Sequence, residues 1–194
     1  GEITITGTLD ASAEESGVKG GEIVVYAEDT ASVSGTLSAR GGVGGEGGFV
    51  ETSARNTIDF TGITVDTSSE GGQTGLWLID PVDLTVDAAA AATISSNLAS
   101  NNVSLQTTNS SASGPGNQSA GDGNITINSG ITWTSTNTLT LNAYNDIAIN
   151  AAIDGQNGGL TLLAYGNSGT AAVGTISTGA AGAVDVDNFA LTRG

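Results

Sequence analysis

Short segments of this chain recur at fixed offsets, and that recurrence restricts its fold more than any other feature. Segment 20–27 recurs as segment 47–54, at an offset of 27, and segment 139–144 recurs as segment 160–165, at an offset of 21. Within each segment apolar and polar residues alternate, as they do in strands with one buried face. Further matches join residues 5, 7 and 9 to 33, 35 and 37 at an offset of 28, and isoleucines 125, 127 and 131 to 147, 149 and 153 at an offset of 22.

A constant offset across several short strands means that each strand lies over its counterpart one turn later. Repeats of this length are typical of units that stack, because one unit cannot bury its own apolar face. We therefore predict an all-β fold, a parallel β-helix or β-solenoid, that takes in residues 1–194 as a single segment. Its coils should hold ~27 residues over 1–73 and ~21 residues over 125–194.

A tryptophan and Asp-Pro segment, residues 74–124, separates the two repeats. The run from Leu76 to Ile79 is continuously apolar, which predicts a short strand buried on both faces, with Trp77 in the core. Pro81 cannot donate to a sheet and should end that strand. Residues 82–86 alternate again and predict a second strand.

Two insertions interrupt this middle segment. Asp87 is a good amino-terminal cap, five alanines follow it, and Ile94 and Leu98 share one helical face, so we predict a short helix over 88–99. Residues 109–123 are rich in serine, asparagine and glycine around Pro115, which predicts an exposed loop.

Composition excludes several classes of function. The formal charge is −16, from 20 acidic and 4 basic residues, so nucleic acid and anionic membranes would be repelled. Neither cysteine nor histidine is present, which removes disulfides, thiol chemistry and the commonest general base. No apolar run approaches the ~20 residues that a spanning helix needs, so we expect no membrane insertion.

Several motifs resemble chemical sites, and each has a simpler structural explanation. The stretch from Gly42 to Gly47 fits the letters of a dinucleotide-binding loop, but a strand rather than a helix should follow it, so a wide turn is the better interpretation. Asp80, Asp83 and Asp87 suggest the paired carboxylates of a glycosidase, yet turn and cap positions favour aspartate in any protein. We therefore expect no enzyme, no catalytic residue and no cofactor.

Metal binding and glycosylation motifs are equally weak. Asp185, Asp187 and Asn188, or the segment 121–124, offer oxygen ligands for calcium, but no tandem nonapeptide or EF-hand loop accompanies them, so we expect no metal. Four N-x-Ser/Thr sequons are present in a stretch where such matches arise by composition, namely at Asn102, Asn109, Asn117 and Asn124.

The sequence resembles the filamentous-haemagglutinin-like exoproteins of bacterial two-partner secretion. The similarity covers residues 20–165, and the tryptophan and Asp-Pro segments carry most of it. The matching segments are residues 47–53, 75–81 with 83–85, 102–105, 123–125, 131–133 and 139–143.

The resemblance implies a right-handed parallel β-helix. It also implies an extracellular or outer-membrane-attached rod on a Gram-negative bacterium, with a structural and adhesive function. It implies a host or neighbouring-cell surface glycan or protein as partner. An outer-membrane transporter would act during secretion, through an amino-terminal domain that these residues do not match.

Two further expectations concern surfaces. Strands at residues 3–9 and 184–191 should present unpaired edges, so we expect either a segment of a longer rod or head-to-tail self-association into fibres. The alternative function is a carbohydrate-binding or carbohydrate-active β-helix in which Trp77 or Trp133 is exposed in a groove. Late residues expected to face the core are Val173, Ile176, Val184, Val186, Phe189 and Leu191.

Overall fold

Short alternating strands build the molecule because β-branched residues are frequent and glycine-rich segments separate them. A computed structural model describes residues 1–55, 57–107, 122–166 and 174–193. The strands of these ranges are β1 (Glu2–Ile5), β2 (Thr8–Asp10), β3 (Glu22–Ala27), β4 (Thr30–Val33), β5 (Thr36–Ser38), β6 (Phe49–Ala54), β7 (Thr57–Asp59), β8 (Thr64–Asp66), β9 (Leu76–Asp80), β10 (Leu84–Val86), β11 (Asn102–Gln106), β12 (Ile125–Ile127), β13 (Ile131–Trp133), β14 (Thr138–Ala143), β15 (Ile147–Ile149), β16 (Ile153–Ala164), β17 (Ile176–Thr178) and β18 (Val184–Arg193), and the helix is α1 (Ala88–Asn97).

The strands stack into three faces, and the paired strands are parallel. The first face runs in the order β3, β6, β9, β11, β14, β16 and β18. The second face holds β1, β4 and β7, then β10, β12, β15 and β17, and the third holds β2, β5 and β8. Strand β13 continues the third face against the first half of β16. The chain is therefore a parallel β-solenoid, as the repeats predict.

The predicted register is confirmed strand by strand. Ile23 pairs with Val50 and Leu9 pairs with Leu37, at the predicted offsets of 27 and 28. In the later coils Ile125 pairs with Ile147 and Leu139 with Leu160, at the predicted offsets of 22 and 21. Equivalent apolar residues consequently lie directly above one another in the core.

The prediction of ~21 residues per coil through residue 194 is wrong for the last coil. Ile147 pairs with Ile176, an offset of 29, and Ile153 pairs with Val184, an offset of 31. The period is longer because additional residues lie between β16 and β17. Part of that connection, 167–173, lies outside the described residues, as does the predicted inward position Val173.

The other late residues expected to face the core divide into two groups. Ile176 and Val186 pack against the core, as predicted. Val184, Phe189 and Leu191 are exposed, because β18 pairs with β16 on one side and no other strand of the described residues pairs with it.

The core is a continuous column of aliphatic residues with two buried tryptophans. Trp77 is 0% exposed, and its ring meets Phe60 edge to face at a centroid distance of 5.8 Å. Its Nε1 donates to Thr52 Oγ1 at 3.1 Å. The expectation that β9 is buried on both faces is wrong, because Leu76 and Leu78 point outward and are only half-buried. The strand does end at Asp80, before Pro81, as predicted.

Helix α1 occupies the place of a strand on the third face, between β8 and β13. It begins where the sequence predicts, with Asp87 Oδ1 accepting from Ala89 and Ala90 N–H groups, and it ends two residues earlier than predicted, at Asn97. Ile94 and Leu98 face the core and are fully buried.

Two asparagine side chains let this helix substitute for a strand. Asn97 accepts from Val65 N–H at 2.7 Å and donates to Ile63 carbonyl oxygen at 3.0 Å. Asn101 accepts from Thr67 N–H and donates to Val65 carbonyl oxygen, both at 2.8 Å. Since unpaired buried backbone groups are costly, these amides complete the edge of β8 in the way a neighbouring strand would.

Residues 109–121 of the predicted loop lie outside the described residues. Among the residues that the structure does describe, no helix is long and apolar enough to cross a membrane.

Candidate binding groove beside helix α1

A groove of about 640 Å³ opens on the third face between helix α1 and strands β13 and β16. A helix is ~10 Å across, whereas stacked strands are ~4.8 Å apart, so a helix in a strand's place spreads its neighbours. The groove is the consequence of that substitution. Its lining is Ser95, Ser96, Ala99, Thr132, Trp133, Thr134, Ser135, Asp154 and Gln156.

Hydrogen bonds hold the two walls at a fixed separation. Thr132 N–H donates to Ser95 Oγ at 3.0 Å across the groove. The carbonyl oxygen of Leu98 accepts from Ser135 Oγ at 2.6 Å and from Asn137 Nδ2 at 2.7 Å. The helix is therefore tied to β13 and to the corner that follows it.

Trp133 lies at the base of the groove, folded into the corner that follows β13. It is 5% exposed, and its Nε1 donates to Asn137 carbonyl oxygen at 2.9 Å. A β-carbon at Gly155 or Gly158 would collide with the indole. These two glycines make room for the ring, which consequently packs against backbone and offers no open face for stacking.

Asp154 supplies the one charged side chain of the lining. Its Oδ1 is buried and has no hydrogen-bond partner. Asp154 pairs in register with Thr132 below it and with Asp185 above it, so its side chain is on the outward face of β16. The Oδ1 oxygen has almost no exposed surface, so it is an unsatisfied acceptor inside the wall of the groove, while the residue as a whole borders the groove.

The other tryptophan of the carbohydrate hypothesis has a different environment. Trp77 is fully buried and its indole N–H is already bonded to Thr52, so the hypothesis that it is an exposed stacking platform is wrong. Both tryptophans are core residues, and only Trp133 borders this groove.

The three aspartates of the glycosidase motif have separate structural roles. Asp87 caps helix α1, and exposed Asp83 accepts from Asn124 N–H at 2.7 Å. Asp80 is 7% exposed, its Oδ1 has no partner, and Gln106 Nε2 donates to its Oδ2 at 3.3 Å. Burial, together with the charge of Glu51, raises the pKa of Asp80 to about 7.

The glycine motif at 42–47 is a turn, as expected. Gly44 has φ of +76°, and its counterparts one coil before and one coil after, Gly17 and Gly71, have φ of +78° and +77°. The motif leads into strand β6 at Phe49, so it lacks the helix that would hold a phosphate. Stacked turns of one geometry explain the glycines.

The calcium candidates do not assemble into a centre. Asp185 and Asp187 lie on exposed β18, and Asn188 Nδ2 donates to Asp187 Oδ2 at 3.1 Å. Asn124 instead bonds the next coil, with its Oδ1 accepting from Asn145 Nδ2 at 2.9 Å, while Gly121 lies outside the described residues. Over the described ranges no three acidic side chains come together in a way that could hold a metal ion.

Asn102 and Asn124 are the sequon asparagines that the structure describes, and the side chains of both form hydrogen bonds to neighbouring coils. Asn102 Nδ2 donates to the carbonyl oxygens of Thr74 and Gly75, and its Oδ1 accepts from Thr138 N–H. Asn109 and Asn117 lie outside the described residues.

Sequence reasoning did not identify the groove. Two sequence features relate to the groove. One is the spacing of four residues between Asn97 and Asn101, and the other is the pair Gly155 and Gly158, which makes room for Trp133. Neither pattern has a meaning until the helix is known to replace a strand.

Comparison of the chain with protein-family models, with curated proteins and with solved structures gives no match. The class of protein is therefore set by the fold alone, which is that of a parallel β-solenoid.

Proposed function

We propose that the chain is a non-catalytic segment of an extracellular rod, with structural and adhesive work on the surface of a Gram-negative bacterium. The observation that carries the proposal is the first face, a continuous parallel stack from β3 to β18 over one apolar core. Such a stack has a fixed axial rise per coil and presents its outward residues in rows, which suits a spacer that displays a surface.

Polar ladders on the outside support this role. Asn150 Nδ2 donates to Asn128 Oδ1 at 2.9 Å, and Asn145 Nδ2 donates to Asn124 Oδ1 at the same distance. Each bond joins neighbouring coils. Side-chain amides thus stiffen the rod outside the core, as they do in other stacked β-structures.

The location is tested on cells of the organism that encodes the chain. Antibodies raised against the purified protein should label intact cells, and brief protease treatment of those cells should remove the epitope. A periplasmic protein serves as the control for outer-membrane integrity. Labelling that requires permeabilisation would contradict an extracellular rod.

Head-to-tail self-association is part of the proposal. Phe189 and Leu191 of strand β18 pair in register with the buried residues Leu160 and Leu162 of β16. They are nevertheless 54% and 50% exposed. Because acidic groups lie nearby at Asp185 and Asp187, screening should favour stacking. Light scattering across a salt series should show growth at high salt, and compact monomers at every salt and protein concentration would contradict it.

A further inference from the structure

We propose that the groove beside helix α1 is a binding site for a neutral saccharide of one or two rings. The proposal does not depend on where the protein is located or on its self-association. It rests on the shape of the groove and on the chemistry of its lining, which includes the side chain of Asp154.

The shape is that of a preformed site. A volume of about 640 Å³ is within the range that small-molecule sites occupy. The walls are joined by the bond from Thr132 N–H to Ser95 Oγ and by those from Ser135 and Asn137 to Leu98 carbonyl oxygen. A ligand would therefore enter a rigid groove and would not have to order it first.

The lining matches a ligand that both donates and accepts. The hydroxyls of Ser96, Thr132 and Thr134 can do either, as the hydroxyls of a sugar can, and Ser95 Oγ, which accepts from Thr132 N–H, can still donate. Ser135 Oγ already donates to Leu98 carbonyl oxygen. Asp154 also borders the groove, and its carboxylate can only accept, which suits a sugar hydroxyl that donates. The exposed amide of Gln156 adds further donors and an acceptor at the rim.

The charge of the groove selects against anionic ligands. Asp154 is the one charged lining residue, and the whole chain carries −16, so sulfated and uronic acid sugars would be repelled. The groove also lacks an open aromatic face, because the ring of Trp133 packs against Gly155 and Gly158. Recognition should therefore come from hydrogen bonds, with affinities in the millimolar to micromolar range.

The test is a titration of the ¹⁵N-labelled protein with four neutral disaccharides, namely maltose, cellobiose, lactose and N,N′-diacetylchitobiose. At least one should shift amide resonances of Ser95, Thr132 and Asp154 together, at up to ~20 mM ligand. Putrescine serves as a cationic probe and glucuronate as an anionic one.

Two variants and a matched control locate the site. Asp154→Asn keeps the shape but loses the charge, so affinity should fall about tenfold. Asp185→Asn removes the carboxylate one coil above, outside the groove, and should leave affinity unchanged. Gln156→Ala, at an exposed rim position, should weaken binding less and protects the test if Asp154→Asn does not fold.

Three results would overturn the proposal. The first is no groove shift with any of the four disaccharides. The second is binding that Asp154→Asn and Asp185→Asn affect equally, because the groove carboxylate would then have no special part. The third is groove binding of putrescine without any saccharide binding, which would make the site one for amines.

Discussion

The coils before helix α1 and those after it stack in the same way but differ in length at one corner. In the earlier coils this corner runs from the start of β8 at Thr64 to the start of β9 at Leu76. The equivalent path in the later coils, from Ile153 to Gly159, is about half as long and stays within β16. The shorter corner accounts for most of the change in strand offset from 27 to 21.

The corners therefore set the number of residues in a coil, while the strands set which residues of neighbouring coils pair. The long corner is a glycine turn that repeats at residues 17, 44 and 71 with positive φ. The short corner is closed by Trp133, whose indole donates to Asn137 carbonyl oxygen. One architecture therefore tolerates two kinds of corner, because the inward residues of neighbouring coils stay aligned in both.

Helix α1 lies at the junction between the two kinds of coil. Asn97 at its end and Asn101 just after it complete the edge of β8. The carbonyl oxygen of Leu98 and the hydroxyl of Ser95 bond the corner and the strand above. The third face is thereby interrupted while the first face continues from β6 through β9 to β11. The groove is a by-product of this junction.

The largest expected effect separates the two tryptophans. Trp77→Ala should destabilise by ~3–5 kcal/mol in urea unfolding, because a closed core position loses both its burial and its packing. Trp133→Ala should cost less, since the hole opens into the groove and water can fill it. Equal losses of unfolding free energy in the two variants would contradict the difference between Trp77 in the closed core and Trp133 beside the groove.

The next effect is the pH dependence that Asp80 confers. Its pKa is raised from 3.8 to about 7 on folding, so the folded state favours the protonated acid. The contribution of Asp80 to the free energy of unfolding should be most favourable below pH 4. It should fall by on the order of 2–4 kcal/mol as the pH rises to 7.

Asp80→Asn measures that contribution against the effect of the other carboxylates. The variant should be more stable than the parent protein at pH 8 and should show a flatter stability profile between pH 4 and 7. Asp185→Asn, at an exposed position, is the control. A profile for Asp80→Asn that parallels the parent would show that Asp80 is not a buried acid of raised pKa.

Breaking the strand substitute should have a somewhat smaller effect. Asn97→Ala leaves Val65 N–H and Ile63 carbonyl oxygen without the amide partners they have now, at a cost of ~2–3 kcal/mol. Ser96→Ala, at an exposed position on the same helix, should be nearly neutral. Thermal melts of the two variants compare them directly, and similar melting temperatures would mean that the helix does not complete β8.

The smallest effect tests the long corner. Gly44→Ala should cost ~1–2 kcal/mol, because φ of +76° is unfavourable for a residue with a β-carbon although no atom obstructs it. Gly7→Ala, where the added carbon also meets nothing within 4 Å, should be neutral. Equal stability of the two variants in urea unfolding would argue against a left-handed turn at 44.

Most of the fold could be read from the sequence because stacking imposes nearly the same offset on the strands of a coil, as in the offsets of 27 and 28 or of 21 and 22. The pairs Leu139 with Leu160 and Ile23 with Val50 follow directly from that rule. The helix was predictable too, since Asp87 and the alanines are local signals. Helix and strand signals lie within the segments that form these elements. Because the segments repeat, the same local signals also show which strands pair throughout the core.

The candidate site could not be predicted, because it depends on what one element replaces. Asn97 looks like an ordinary polar helix residue, Asn101 like a residue of the turn after the helix, and Gly155 and Gly158 like loop residues, until β8 and Trp133 are beside them. The burial of Asp80 likewise arises from tertiary packing. The last coil departs from the period because its connection is longer, and no repeat unit exists there to show it.

Engineered disulfides test the central claim, the parallel register, most directly, because the natural sequence has no cysteine. Thr140 and Thr161 pair in register, so their α-carbons should be ~4.8 Å apart, which suits a disulfide. Thr140→Cys with Thr161→Cys should therefore oxidise quantitatively in the folded protein. Thr140→Cys with Leu163→Cys, displaced by two positions, should remain reduced. Efficient crosslinking of the displaced pair, or none of the registered pair, would contradict the solenoid described above.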